Sequence, residues 1–184
     1  MSDLPSRPPL TPRVQEIVAA ARELVEEEGV GALSMRRLAE RLAIRAPSIY
    51  KHLPDKQALE YALISATFED QAARFEAAMS EPGDPVAALT RAYRDYARRH
   101  PHLYRLMTER PLDRDRLAPG VEERAARPIV KALGGDRDLA RGFWAFAHGM
   151  TILELNQRFP PDADLDAAWQ RGLESFRPQT IVAR

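Results

Sequence analysis

Between Arg36 and Lys56 the chain carries six cations, Arg36, Arg37, Arg41, Arg45, Lys51 and Lys56, against two acids, Glu40 and Asp55. Inside that stretch Ile49 and Leu53 lie four residues apart and share one helix side. Ser48, Tyr50, Lys51 and His52 are left mostly outward. Cations with exposed hydroxyl, imidazole and phenol groups suit phosphate neutralisation and hydrogen bonding to base edges. A basic run is, on charge alone, more often an ordinary solvated helix surface.

Other chemistries find little support. The chain has 184 residues, no cysteine, and 27 Lys plus Arg against 27 Asp plus Glu. Thiol catalysis and cysteine-ligated metals are excluded. No serine nucleophile elbow, phosphate loop or zinc-protease motif occurs. His100-Pro101-His102 is a tempting metal pair, but it straddles a helix break and lacks a regularly spaced carboxylate–histidine set. The expectation is therefore no catalytic residues, no metal and no cofactor. No segment approaches the ~20 apolar residues of a membrane span, and the first thirty residues hold no signal-type run. A cytoplasmic protein without membrane contact is expected. Zero net charge excludes indiscriminate basic binding by the whole surface and leaves room for a local cationic face.

The elements that must position these groups are helical. Residues 1–10, with Pro5, Pro8 and Pro9, read as a disordered arm, and 179–184 as a tail. Thr11 is a good N-cap and Pro12 suits the first helical position. Val14, Ile17, Val18, Ala21, Leu24 and Val25 then fall on one face, and Gly29 ends the helix. Glu26, Glu27 and Glu28 read as a solvated face. Ser34 caps a short helix, Ala43-Ile44-Arg45 turns tightly, and Ala46 to Leu53 forms a third helix. Two short helices across a three-residue turn are helix-turn-helix arithmetic, with the second entering the major groove. Asp55 caps a long helix to about Ser80. Further helices are expected near 85–99, 101–109, 120–133, 137–158 and 163–176, and no period-two pattern suggests strands. The fold class is all-α: a DNA-binding domain over 11–56 and a helical ligand-binding and dimerisation bundle over 57–178.

The residues also carry a resemblance. Ile17-Val18-Ala19-Ala20-Ala21-Arg22-Glu23-Leu24, the run Gly29 to Glu40, and above all Ser48 to Lys56 resemble the DNA-binding domain of the TetR family of bacterial transcriptional regulators. The resemblance implies that Ser48, Tyr50, His52 and Lys56 touch phosphates, with Ser34 and Arg36 across the groove. It also places Arg45, Ala46, Pro47, Tyr50 and Lys51 at base edges or thymine methyls. Arg45 stands where members often have Ser or Thr. It loses a capping oxygen but could reach guanine. Ala46 and Pro47 offer apolar contact alone.

The C-terminal half is similar to the domain type called WHG in TetR-like regulators, through Tyr93 to Met107 and through Trp144 with His148-Gly149. This implies ligand sensing. The candidate pocket residues are Phe68, Phe75, Tyr93, Tyr96, Leu103, Met107, Trp144 and His148, though such residues on helices are usually plain core. Helix 137–158 is apolar over so wide an arc that it needs cover on more than one side. Phe146, Met150, Leu153, Leu165, Trp169, Gly172, Leu173 and Phe176 are therefore candidates for a two-fold interface, as a palindromic site requires. The expectation is a homodimeric, ligand-responsive regulator, a repressor released from a palindromic operator by a small apolar or aromatic molecule. The competing readings are an all-helical carrier or enzyme with a vestigial helix-turn-helix unit, and an adaptor that binds another protein through its last two helices.

Overall fold

The computed structural model describes residues 10–176, which hold helices and no β-strand. The arm expected over 1–10, except Leu10, and the tail expected over 179–184 lie outside the described residues. Packing divides the chain into two compact units that interleave in sequence. One holds the described residues through Asp70 together with His100–Glu123; the other holds Gln71–Arg99 and the described residues from Arg124 onward. The units do not follow the boundary expected at residue 56, because one long helix supplies side chains to both.

In the first unit, α1 (Pro12–Glu28) starts where Thr11 Oγ1 accepts from the Val14 N–H and stops at Gly29, which has φ +83°. Its buried stripe includes Ile17, Val18, Ala21, Leu24 and Val25. Helix α2 (Met35–Arg41) is capped by Ser34 Oγ, which accepts from Arg37 N at 3.3 Å. It closes in a Schellman turn. Ala43 N–H reaches Glu40 O at 3.1 Å, and Ile44 N–H reaches Ala39 O at 3.0 Å. Helix α3 (Ala46–Tyr50) ends earlier than the expected Leu53. His52 and Leu53 N–H groups both turn in on the Ile49 carbonyl.

Helix α4 (Lys56–Met79) is capped by Asp55 Oδ1, which accepts from Ala58 N at 2.6 Å. Helix α5 (Pro85–Arg99) belongs to the second unit. Helix α6 (Pro101–Thr108) returns to the first unit, packs on α1, and buries Leu103 and Tyr104 completely. The connection after α6 is pinned to α4 by two hydroxyls. Tyr61 Oη accepts from Asp113 N at 2.9 Å, and Ser65 Oγ accepts from Ala118 N at 3.0 Å.

Helix α7 (Val121–Ala132) accommodates Pro128 in its interior and runs into the second unit. There it joins α8 (Arg137–Leu155), α9 (Leu165–Leu173) and a final 3-10 turn (Glu174–Phe176). Asp136 and Asp164 cap α8 and α9 through backbone N–H groups. The second unit's core includes Phe75, Leu89, Tyr93, Tyr96, Ile129, Leu133, Phe143, Ala147 and Trp169.

Candidate nucleic-acid interface

Helix α3 is seated by Ile49, with no exposure, and by buried Leu53 just beyond it. That seating turns Arg45, Pro47, Tyr50, Lys51 and His52 to the surface and leaves Ala46 and Ser48 half-buried. Tyr50 is 48% exposed, unusual for a large aromatic side chain. Lys56 opens α4 on exposed backbone, and Arg36 is exposed on the first turn of α2. Ser34 is half-buried and already committed to capping α2.

Acids that the sequence pattern left as a solvated face change the charge reading. Arg41 is bracketed by Glu27 at 2.7 Å and Glu23 at 3.1 Å, and Arg37 meets Glu28 at 2.5 Å. Arg36 pairs with Glu40 at 3.1 Å, and Lys56 lies 3.5 Å from Glu60. The hydrogen bond from Arg41 holds the Glu27 carboxyl below its ordinary value, against a smaller opposing effect of desolvation. The same pair raises the Arg41 guanidinium, with Glu23 adding to the effect. Glu26, the remaining acid of the run, faces His100 Nδ1 at 3.4 Å. Among the described residues Arg45 and Lys51 have no such acidic partner. The surplus cation therefore concentrates at the two ends of α3 and does not spread over the whole of 36–56. The acids were visible in the sequence, but their positions opposite α2 depend on how α1 crosses it.

The second-unit candidates separate into groups. Phe75 stacks on Tyr93 with ring centroids 6.1 Å apart, and the Arg74 guanidinium lies 5.4 Å over the Tyr96 ring. These aromatics are closed core. Phe68, half-buried, and buried Leu103 and Met107 belong to the first unit, and Phe75, Tyr93 and Tyr96 to the second. Trp144 was expected inward; it is 50% exposed and stacks on half-buried His148 at 5.9 Å. An open cleft of about 540 Å³ in this unit is lined by Arg74, Arg91, Arg94 and Arg98, by Glu81 and Asp95, and by small alanines, and not by the aromatic set.

The expected interface residues divide likewise. Trp169 and Leu173 are buried within their own chain. Phe146 meets Trp169 edge-on at 5.4 Å and Phe176 at 5.6 Å, and so ties α9 onto α8. Leu165, Met150, Gly172 and Phe176 are half-buried, while Leu153 is 42% exposed. Three residues that sequence reasoning missed complete the tie. Arg94 grips Glu154 at 2.6 Å and also Asp166, and Trp169 Nε1 donates to Glu154 at 3.3 Å. The Glu154 hydrogen bond, ahead of the Asp166 one, raises the Arg94 guanidinium against desolvation. The Arg94 hydrogen bond holds Asp166 below the usual carboxylate range.

Among the described residues no group of three or more His, Asp or Glu is placed to hold a metal ion, and no helix is long and apolar enough to cross a membrane. A three-helix unit with a tight-turned helix pair and an outward, cation-bearing second helix defines a helix-turn-helix DNA-binding regulator. Comparison with known proteins gives the family. Residues 17–63 match the model of bacterial regulatory proteins of the tetR family, and 86–176 match the tetracyclin repressor-like C-terminal domain. The chain belongs to the TetR family of transcriptional regulators. It is 29% identical over 165 residues to an uncharacterized HTH-type transcriptional regulator of Mycobacterium tuberculosis, covering 84% of this chain and 75% of that one. A Bacillus subtilis HTH-type regulator is 25% identical over 94% of this chain and 97% of its own. The crystal structure of a putative regulatory protein, SCO4313, superposes with a TM-score of 0.73 at 24% identity, covering 93% and 99% of the two chains. Regulators of this family are ligand-responsive DNA-binding repressors and not enzymes, and a vestigial-unit carrier or enzyme is not favoured.

Proposed function

We propose that two copies of this chain hold a palindromic operator, one α3 in each of two successive major grooves, and release it when a small apolar or aromatic molecule enters the second unit. The observation that carries the DNA reading is the surface of α3. Arg45 and Lys51, without acidic partners, flank it at its two ends beside an exposed Tyr50, and buried Ile49 seats the helix. Arg45 can meet a guanine edge, and Tyr50, Ser48, His52 and Lys56 can meet phosphates. Recognition helices in a dimer need half-sites roughly 34–36 Å apart.

The copy-to-copy reading is supported by α8. Trp144 is exposed, with half-buried His148 and Ile152 continuing its side of the helix, and Leu153 is exposed on another side. Large exposed apolar residues on a helix mark interaction surfaces. The effector reading is supported by two polar atoms in the second unit. Gln71 Nε2 and Thr151 Oγ1 are buried without a hydrogen-bond partner. Such atoms cost about 1–3 kcal/mol each, and a ligand with a matching acceptor or donor offsets that cost. Thr67 and Thr90 instead spend their hydroxyls on the carbonyl four residues back.

The test is selection of binding duplexes from a random pool, followed by sedimentation of the complex. Symmetric half-sites bound by two chains are expected. Recovery of no sequence above background, or of a single half-site bound by one chain, overturns the reading.

A further inference from the structure

We infer that Glu60 and Arg110 set how firmly Lys56 can hold a DNA phosphate, through a carboxylate that the two cations share. The inference rests on the reading of Lys56 as a phosphate contact. Glu60 lies one turn beyond Lys56 on α4. Its Oε1 is 3.5 Å from Lys56 Nζ, and its Oε2 is 3.7 Å from Arg110 Nη1. The Glu60 side chain is only 15% exposed, whereas those of Lys56 and Arg110 are 50% and 62% exposed. One half-buried anion thus sits between two water-facing cations.

The position of Arg110 is not accidental drift of a long side chain. Pro111 follows it and confines its backbone to extended geometry. Three residues on, the same connection is pinned to α4 by the Tyr61 hydroxyl at Asp113, and then by Ser65 at Ala118. Tyr61 is the residue next to Glu60, so the connection is fastened beside the carboxylate it serves. Ser65 Oγ also donates to Tyr61 O at 2.7 Å, which binds the two fastenings together.

The charge argument follows. A phosphate approaching Lys56 meets two obstacles. The ammonium must turn away from Glu60, and the carboxylate repels the phosphate. If Lys56 were the sole partner, turning to DNA would strand a largely buried carboxylate, which is costly. Arg110 on the second oxygen keeps that carboxylate paired throughout and cancels much of its repulsion. Arg110 and Glu60 are therefore positioning residues: neither has to touch DNA, and both act through Lys56.

The experiment is a double-mutant series on the full chain, read by fluorescence anisotropy of a labelled duplex selected from a random pool by the wild type, over a range of salt concentrations. Arg110→Ala is expected to weaken binding about 3- to 10-fold, and Glu60→Gln to tighten it by about 2- to 5-fold. Arg110→Lys should restore most of the affinity. In the Glu60→Gln background Arg110→Ala should have little effect, and in the Lys56→Ala background neither change should matter. An Arg110→Ala loss of equal size in all backgrounds means a structural role or a direct DNA contact and overturns the inference, as does no loss at all. Lys56→Ala alone should lower the salt slope by about 1. If it changes neither slope nor affinity, the phosphate reading of Lys56 fails and the inference with it. If it does and the double mutants are additive, the inference alone fails.

Discussion

The Phe146 ring lies over Gly172 so closely that a Cβ at position 172 would come within 2.1 Å of the ring's Cζ. Real Cβ atoms essentially never come under 3.0 Å, so glycine here is a packing requirement between α8 and α9 of one chain. Two effects oppose each other in Gly172→Ala. Alanine improves helix propensity by about 1 kcal/mol. The ring must move, and it is held between Trp169 and Phe176, so overpacking costs about 1–3 kcal/mol. The clash should win. Urea denaturation is expected to show a net loss of stability for Gly172→Ala, and a gain for the same change made in a Phe146→Ala background.

Ala43 holds the α2–α3 turn at φ +51°, in the left-handed region where a Cβ is unfavourable by roughly 1–2 kcal/mol. The Schellman hydrogen bonds at Ile44 and Ala43 require that conformation. Ala43→Gly removes the strain but loosens the unfolded chain, an opposing cost of roughly 0.4–1 kcal/mol. A small net stabilisation, below about 1.5 kcal/mol, is expected from thermal unfolding, with DNA affinity unchanged. Destabilisation would mean that the turn carries no such strain.

Arg94, Glu154 and Asp166 tie α5 to α8 and α9. Asp166 is held below the ordinary carboxylate range by Arg94. A carboxyl whose folded pKa is depressed contributes stability above its unfolded pKa of about 3.9, and loses that contribution as pH falls through the lower folded value. In a Trp144→Phe background the remaining indole, Trp169, reports locally, since it lies under Arg94 and beside Glu154. Its emission should shift as pH falls through and below the ordinary carboxylate range. Asp166→Asn should flatten part of that change. A shift centred near neutrality would point to a different group.

Much of this was legible because helix punctuation is local. Thr11, Ser34, Asp55, Asp136 and Asp164 each cap a helix through a side-chain oxygen, and period-three-and-four spacing found the buried stripe of α1. The three-residue turn and the outward face of α3 followed from the same rules. What spacing could not show was which apolar stripe met which partner. Trp144 and Trp169 both look like core residues by type, yet the first is half exposed and the second buried. Leu103 and Met107 follow Tyr93 and Tyr96 closely in sequence yet belong to the first unit, because α6 turns back onto α1. Charge was misread for the same reason: Glu27 and Glu28 gain their meaning from residues far away in sequence.

If α8 closes against a second copy, Trp144 and Leu153 should matter to assembly and not to folding. Both are exposed, so a charge at either position leaves the chain's own core intact. Trp144→Glu with Leu153→Glu should give a folded chain of unchanged helicity by circular dichroism and half the mass by sedimentation. Loss of helicity would instead assign these residues to the chain's own core.

The pairing pattern also ranks the cations of the first unit. Counter-ion release makes a phosphate contact visible as a salt slope of nearly one per neutralised phosphate. A cation already bracketed by two carboxylates has little left to give. Arg41, between Glu23 and Glu27, is expected to be nearly silent in DNA binding. Arg45→Ala and Lys51→Ala remove cations without an acidic partner from α3 and should each weaken binding by about 1–3 kcal/mol if they meet a base edge. Arg45→Ala should further relax sequence preference at one position of each half-site, whereas Lys56→Ala should weaken all sequences alike. Titrations of a selected duplex and of single-base variants at several salt concentrations separate these cases. An Arg41→Ala loss as large as that of Arg45→Ala would show that the Glu23 and Glu27 pairs open on DNA, and that the basic surface extends beyond α3.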